Sequence, residues 1–148
     1  MANAIQWQAA LTDRGNVLTT EMNSLTNTSR TAAGTAVDNS TNLDKYGWLE
    51  CNFTFGTNPT STAYMIIYMV MSADGTNYAD GDASNTPGFD AVVATFSVRA
   101  TTSAQRKIIG PIMLPPTKVK FLVENQAGQT MAASGNTVKL WTDNDEIQ

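Results

Sequence analysis

The stretch GWLECNFTF, from Gly47 to Phe55, alternates apolar and polar residues along its whole length. One set of alternate residues is apolar: Leu49, Cys51, Phe53 and Phe55. The opposite set consists of Trp48, Glu50, Asn52 and Thr54. A period of two residues is typical of a β-strand that buries one face. The turn formers of GTNPTST follow at once, so this part of the chain predicts short strands joined by turns.

The next strand, AYMIIYMVMS (Ala63–Ser72), is apolar on both faces. A strand with this composition is normally covered on both sides. In an antiparallel sandwich, the second cover has to come from an extra element of the chain or from another subunit.

Further strands are predicted over positions 89–99, 106–114, 117–125 and 137–142. Within the second of these, Gly110-Pro111 predicts a bulge or an edge position, because proline has no amide proton for a sheet hydrogen bond. Short strands separated by Gly, Pro and Asn turns favour an all-β fold. We expect an antiparallel β-sandwich of jelly-roll-like topology.

The first 45 residues have a different pattern. IQWQAAL is a candidate strand, and LTTEMNSLTNTSRTA places Leu18, Met22, Leu25 and Ser29 at helical spacing. Thr19 or Thr20 is the candidate N-cap. We therefore expect a single domain with an N-terminal arm and short helix over residues 1–45, a sandwich body over 46–142 and a frayed acidic tail over 143–148.

Composition limits the class of protein. The chain has 148 residues, 15% of them charged, with a net charge of −4. An acidic chain of this kind does not favour nucleic-acid binding. The longest apolar run, Ala63–Met71, is too short to span a bilayer as a helix, and MANAIQWQAA lacks the pattern of a signal peptide. We expect a protein that folds in a cytoplasm and contacts neither nucleic acid nor membrane.

Residues for catalysis are scarce. The chain contains no histidine, and its only cysteine, Cys51, lies on the apolar face of a strand. Glu50 and Glu124 are the only glutamates within or at the end of strands, and both are expected to face solvent. We therefore predict a non-enzymatic protein without catalytic, cofactor-binding or metal-binding residues.

The loop MSADGTNYADGDASNTPGFD (Met71–Asp90) is the strongest candidate for a metal site. Its oxygen donors are Asp74, Asn77, Asp80 and Asp82. Calcium binds such donors, but their spacing differs from that of a calcium-binding loop, and the terminal glutamate is missing. Asp-Gly and Asn are also turn formers, which favours a plain connection and leaves calcium as the alternative.

Three tryptophans, Trp7, Trp48 and Trp141, provide a second candidate site. Trp48 and Trp141 each lie opposite the main apolar face of their own strand. Aromatic residues in such positions mark either a contact between subunits or a platform on which sugars stack. We favour the subunit contact.

Several stretches resemble small proteins encoded by tailed bacteriophages and prophages. They include AVDNSTNLDKYGWLE, SADGTNYADGDASNTP, RATTSAQRKIIGPIMLPPTKVKFLVENQAG and ASGNTVKLW, and the resemblance extends from about Leu18 to Trp141. It implies a structural protein of the virion, and the size of the chain suits a decoration or cement protein that stabilises the head lattice. Its partners would be the major capsid protein or other virion proteins, and a homo-oligomer, such as a trimer, is expected. A tail or neck component and a carbohydrate-binding module for host attachment remain alternatives.

Overall fold

The computed structural model describes residues 5–7 and 10–147, with the backbone alone at positions 6, 7, 146 and 147. This part of the chain forms one short α-helix, α1 (Asn39–Asn42), and two single turns of 3-10 helix, Thr20–Met22 and Phe89–Ala91. None of these helices has the length and apolar character needed to cross a membrane. The strands are β1 (Ile5–Trp7), β2 (Thr12–Leu18), β3 (Val37–Asp38), β4 (Tyr46–Phe53), β5 (Tyr64–Ser72), β6 (Val92–Ser97), β7 (Gln105–Met113), β8 (Lys118–Gln126), β9 (Thr137–Asp143) and β10 (Asp145–Ile147).

Eight of these strands form two four-stranded antiparallel sheets, in the orders β2-β9-β4-β7 and β3-β8-β5-β6. The first four strands pair with the last four in reverse order: β2 with β9, β3 with β8, β4 with β7 and β5 with β6. A long antiparallel ribbon rolled up in this way is a jelly roll. β1 and β10 form a separate two-stranded pair. The predicted all-β sandwich of jelly-roll type is therefore confirmed.

The inner faces of the two sheets enclose one apolar core. The predicted inward residues of β4 are fully buried, and they meet the inward residues of β5 and β8 from the other sheet. Phe53 connects the two layers, because its ring centroid lies 5.8 Å from that of Phe96 in β6 and 6.0 Å from that of Phe55. The alternation of GWLECNFTF thus predicts the strand and its buried face correctly.

The outer face of β5 is covered by the chain itself. Tyr68 and Val70 point to that face and are 5% and 1% exposed. Side chains from outside the two sheets pack against them: Ala33, Tyr78 and Ala91. Lys120 Nζ lies 4.3 Å from the Tyr78 ring centroid and helps to hold this residue over the sheet. The expected second cover of β5 therefore comes from the segment before β3 and the β5–β6 loop.

The N-terminal helix is shorter than expected. Only the 3-10 turn Thr20–Met22 forms, so the short amphipathic helix predicted within LTTEMNSLTNTSRTA does not extend beyond that turn. Thr, Asn and Ser dominate this segment, and their side chains compete with helical hydrogen bonds. Ser24 and Thr28 instead adopt φ values of 55° and 62°. Met22 and Leu25 are still buried, because the loop closes one end of the core.

Within the predicted N-terminal arm, residues 1–45, β2 and β3 are strands of the sandwich. β2 pairs with β9, and β3 pairs with β8. Between them the chain follows β8, with the Gly34 amide donating to Phe121 O at 3.0 Å. A Cβ at Gly34 would lie 2.0 Å from Val17 O, so no larger residue fits there. The acidic tail, expected to be frayed, includes β10.

We predict that Phe53→Ala lowers the free energy of unfolding by about 3–5 kcal/mol, because it leaves a cavity between the sheets. Urea denaturation followed by circular dichroism measures this value. Phe89→Ala is the matched control, since Phe89 is 99% exposed, and its stability should match the wild type. Equal losses for the two variants would contradict the described core.

Candidate functional site

A groove on the outer face of the β2-β9-β4-β7 sheet contains two of the tryptophans. It has a volume of about 360 Å³. We call it the tryptophan groove, and its lining residues are Leu11, Trp48, Glu50, Arg106, Ile108 and Trp141. Leu11 is 43% exposed and Ile108 is 59% exposed, so the walls present apolar surface to the outside.

Strand register brings these residues together. On one side of β4, Trp48 lies directly opposite Trp141 of β9. On the other side, Glu50 lies opposite Ile108, and Asn52 lies opposite Arg106 of β7. Residues directly opposite one another across a sheet point to the same side, so these side chains share the outer face.

Gly110 allows Trp48 to lie close to β7. The β4–β7 ladder shifts register between Gly47 and Leu49, and β7 is the edge strand of its sheet. The predicted bulge or edge position at Gly110-Pro111 is therefore confirmed on both counts. A Cβ at Gly110 would lie 2.9 Å from Trp48 Cε3, and the φ of +150° favours glycine there as well.

Glu50 is the electrostatic centre of the groove. Arg106 Nε donates to its Oε1 at 2.8 Å, Asn52 Nδ2 donates to the same oxygen at 3.3 Å, and Trp141 Nε1 donates to Oε2 at 3.0 Å. These hydrogen bonds, that from Arg106 first, lower the pKa of Glu50 to about 2. A carboxylate held in this way stays ionised near neutral pH, where a general acid or base needs a pKa close to the working pH. The arrangement therefore suits binding better than proton transfer.

The two indoles of the groove have different surroundings. Trp48 Nε1 is buried without a hydrogen-bond partner among the described residues. The ring of Trp141 is covered by Lys139, whose Nζ lies 4.6 Å from the ring centroid and 2.6 Å from Asp13 Oδ2. A sugar that stacks on Trp141 would be limited to the part of the ring that Lys139 leaves uncovered. The side chain of Trp7 lies outside the described residues.

A second exposed apolar region lies on the outer face of the other sheet. Phe89 begins the 3-10 turn before β6 and is 99% exposed. It borders a hollow of about 450 Å³. The other lining residues are Ile66, Tyr68, Thr86, Pro87, Gly88, Val92 and Thr95.

The aspartate-rich loop uses its carboxylates for turns. Asp74 accepts hydrogen bonds from the amides of Asn77 and Thr76 at 2.7 and 2.8 Å, and Asp82 accepts from the amides of Asn85 and Ser84. These bonds hold the pKa of each carboxyl below its usual range.

The candidate calcium ligands Asp74, Asn77, Asp80 and Asp82 are all exposed. Within the described residues, no group of three or more His, Cys, Asp or Glu side chains is placed to hold a metal ion. The loop geometry therefore supports a plain connection.

The two strand glutamates lie on opposite outer faces of the sandwich, Glu50 on β4 and Glu124 on β8. The structure therefore does not bring them together as a pair of carboxylates.

The expectation that Glu124 faces solvent is wrong, since it is 8% exposed. Arg30 Nη1 donates to it at 3.2 Å and Tyr68 Oη at 2.9 Å, and these partners offset the cost of burial. Cys51 is a core residue, as predicted, and burial raises the pKa of its thiol to about 12.

Sequence reasoning missed Arg106, Ile108 and Phe89 as surface residues of interest. Arg106 and Ile108 alternate along one strand, but their position beside Glu50 depends on the β4–β7 pairing. Phe89 was assigned to a strand, although the preceding Pro87-Gly88 is a signal for a turn.

Comparisons with known proteins do not place the chain in a family. No family model matches it, and no curated protein matches it. One solved structure with some similarity is an arabinose-bound α-L-arabinofuranosidase, with 11% sequence identity and a TM-score of 0.36. The match covers 96% of this chain and 23% of the arabinofuranosidase. Similarity at this level carries no argument about function.

We predict that the Glu50 carboxyl titrates near pH 2, well below its ordinary value of 4.5. Because the folded-state pKa is lowered, Glu50 stabilises the fold fully above about pH 4.5, and this contribution is lost as the pH falls towards 2. Carboxyl-carbon NMR measures the titration directly. Arg106→Ala should raise the midpoint, whereas Arg99→Ala, at an exposed arginine that neither lines the groove nor contacts Glu50, should not. An unchanged midpoint in Arg106→Ala would contradict the described contact.

Proposed function

We propose that this protein is a non-enzymatic structural subunit of a tailed-bacteriophage particle that decorates and stabilises the head lattice. The observation that carries the proposal is the apolar surface on the outside of both sheets. Phe89, Met113, Ile108 and Tyr64 are 99%, 68%, 59% and 40% exposed. Exposed apolar side chains that line hollows on both outer faces suit contact with other proteins.

The jelly roll supports the proposal in a general way, because viral capsid domains use this fold. Lectins and enzymes use it too, so the fold alone does not decide between functions. The tryptophan groove adds a more specific argument. Its carboxylate is already engaged by three donors, which suits a binding surface and not a catalytic centre.

The proposed partners are inferred from the apolar surfaces on the two outer faces. The two outer faces point in opposite directions, so one copy can contact two neighbours at once. We propose that these are the major capsid protein and further copies of this chain, assembled in the host cytoplasm and retained in the virion. Many modest contacts over a symmetric lattice add up to stable attachment.

Purified particles of a phage that encodes this chain test the proposal. We expect many copies per particle, distributed over the head, as measured by quantitative mass spectrometry and cryo-electron microscopy. Heads that lack the protein should release their DNA at a lower temperature. A single ring at the neck or tail would make it a connector component, and absence from the particle would contradict the proposal altogether.

A carbohydrate-binding module is the second candidate, favoured by the pair of indoles beside the Glu50–Arg106 ion pair. Aromatic rings and charged groups of this kind bind sugars in other proteins, and lectins also have jelly-roll folds. A glycan array with the wild type, Trp48→Ala and Phe89→Ala tests it. Binding lost only in Trp48→Ala supports the module, whereas an array without hits counts against it.

A further inference from the structure

Two features of opposite shape lie on opposite faces of the sandwich. Phe89 projects from the outer side of the β3-β8-β5-β6 sheet, where it borders outward residues of β5. The tryptophan groove opens on the outer side of the β2-β9-β4-β7 sheet. Because the two faces point away from each other, Phe89 cannot reach the groove of its own molecule.

Phe89 is held as a projection. Pro87 before it is buried, and the Ala91 amide donates to Gly88 O at 3.0 Å, which closes the turn around it. A side chain on a fixed turn loses little backbone freedom when it binds. An aromatic ring that is 99% exposed also has its whole apolar area available for a contact.

The groove has suitable size and chemistry for an aromatic ring. Its volume is about 360 Å³, and its apolar walls are Leu11 and Ile108 with the rings of Trp48 and Trp141. Aromatic rings prefer edge-to-face or offset contacts with other rings, and both geometries are possible between two indoles. Lys139 already covers one face of the Trp141 ring, which leaves less of that indole open for a stacked sugar.

Charge complementarity points to the same partner. Asp90 follows Phe89 in the chain and is exposed. At the groove, the side chain of Arg106 is 59% exposed and uses its Nε for Glu50. Its two terminal nitrogens have no hydrogen-bond partner in the described part of the chain. An arginine with free donors beside an apolar groove can bind a carboxylate while the residue before that carboxylate, if apolar, occupies the groove.

We propose that Phe89 of one copy inserts into the tryptophan groove of the next copy, with Asp90 of the first beside Arg106 of the second. The inference rests on the proposed function as an assembling subunit, and it names the partner of the groove as a second copy of this chain. The contact joins two different surfaces, so each dimer keeps one free Phe89 and one free groove. Such a contact produces a ring where its rotation closes and an open filament where it does not.

Disulfide trapping tests the geometry. Asp90→Cys copies are mixed with Arg106→Cys copies under mild oxidation, and both variants keep Phe89 and the groove walls. We expect the mixed dimer to form in clear excess over either variant alone. The native Cys51 is buried and does not compete. Asp90→Cys mixed with Leu43→Cys is the control, because Leu43 is 58% exposed and does not line the groove.

Complementation tests the direction of the contact. In sedimentation equilibrium, Phe89→Ala and Ile108→Asp should each weaken self-association by about tenfold or more, because each removes one half of an apolar contact. An equimolar mixture should form a dimer and nothing larger, since only one intact Phe89 can meet one intact groove. Leu11→Asp replaces Ile108→Asp if the latter loses its folded circular-dichroism spectrum. Leu43→Ala, at another exposed apolar residue, should behave as the wild type.

Other outcomes overturn the inference. Dimers of Asp90→Cys alone, or of Arg106→Cys alone, would show that like surfaces pair. A mixture that stays monomeric, or a wild type that neither associates nor gives the mixed disulfide, would exclude the contact. If the protein is found on phage heads but fails these tests, the proposed function stands and the contact is rejected. If the protein passes these tests but is absent from virions, the contact stands and the proposed function is rejected.

Discussion

The whole structure depends on the pairing of the first half of the chain with the second half in reverse order. β2 reaches β9 and β3 reaches β8 across most of the sequence, so neither sheet exists until distant segments meet. Only a consistent alternation of apolar residues makes that pairing stable, because a slip by one residue would turn a strand's buried side chains outwards. The inward residues of β4, β5 and β8 meet this condition together. A topology with so many long-range pairs is expected to fold slowly.

The two outer faces of the sandwich differ in how much of each the chain itself covers. The outer face of β5 is covered by the chain itself at Tyr68 and Val70, and Arg30 binds Glu124 on the same face, whereas Tyr64 stays 40% exposed. The face of β4 and β9 has no such cover, and its tryptophans are arranged around Glu50 instead. Apolar groups on the outer faces that the chain does not cover are available to neighbours.

Local patterns predicted the parts of this fold that local forces determine. The period of two along β4 and the position of Gly110-Pro111 follow from residues that are adjacent in sequence, and both predictions are correct. The helix predicted after Leu18 is wrong because the apolar spacing there belongs to a loop that packs on the core. The predicted exposure of Glu124 is wrong because its partner, Arg30, is far away in sequence. The tryptophan groove combines three strands, and its existence requires their register.

The titratable groups of the molecule have a consequence for its surroundings. The chain has no histidine, the pKa of Glu50 lies near 2, and the thiol of Cys51 has a pKa of about 12. Side-chain charge therefore changes little between mildly acidic and mildly alkaline conditions, and the buried lone thiol has no partner within the chain for a disulfide. The electrostatic surface of the protein therefore stays nearly the same over that range of pH.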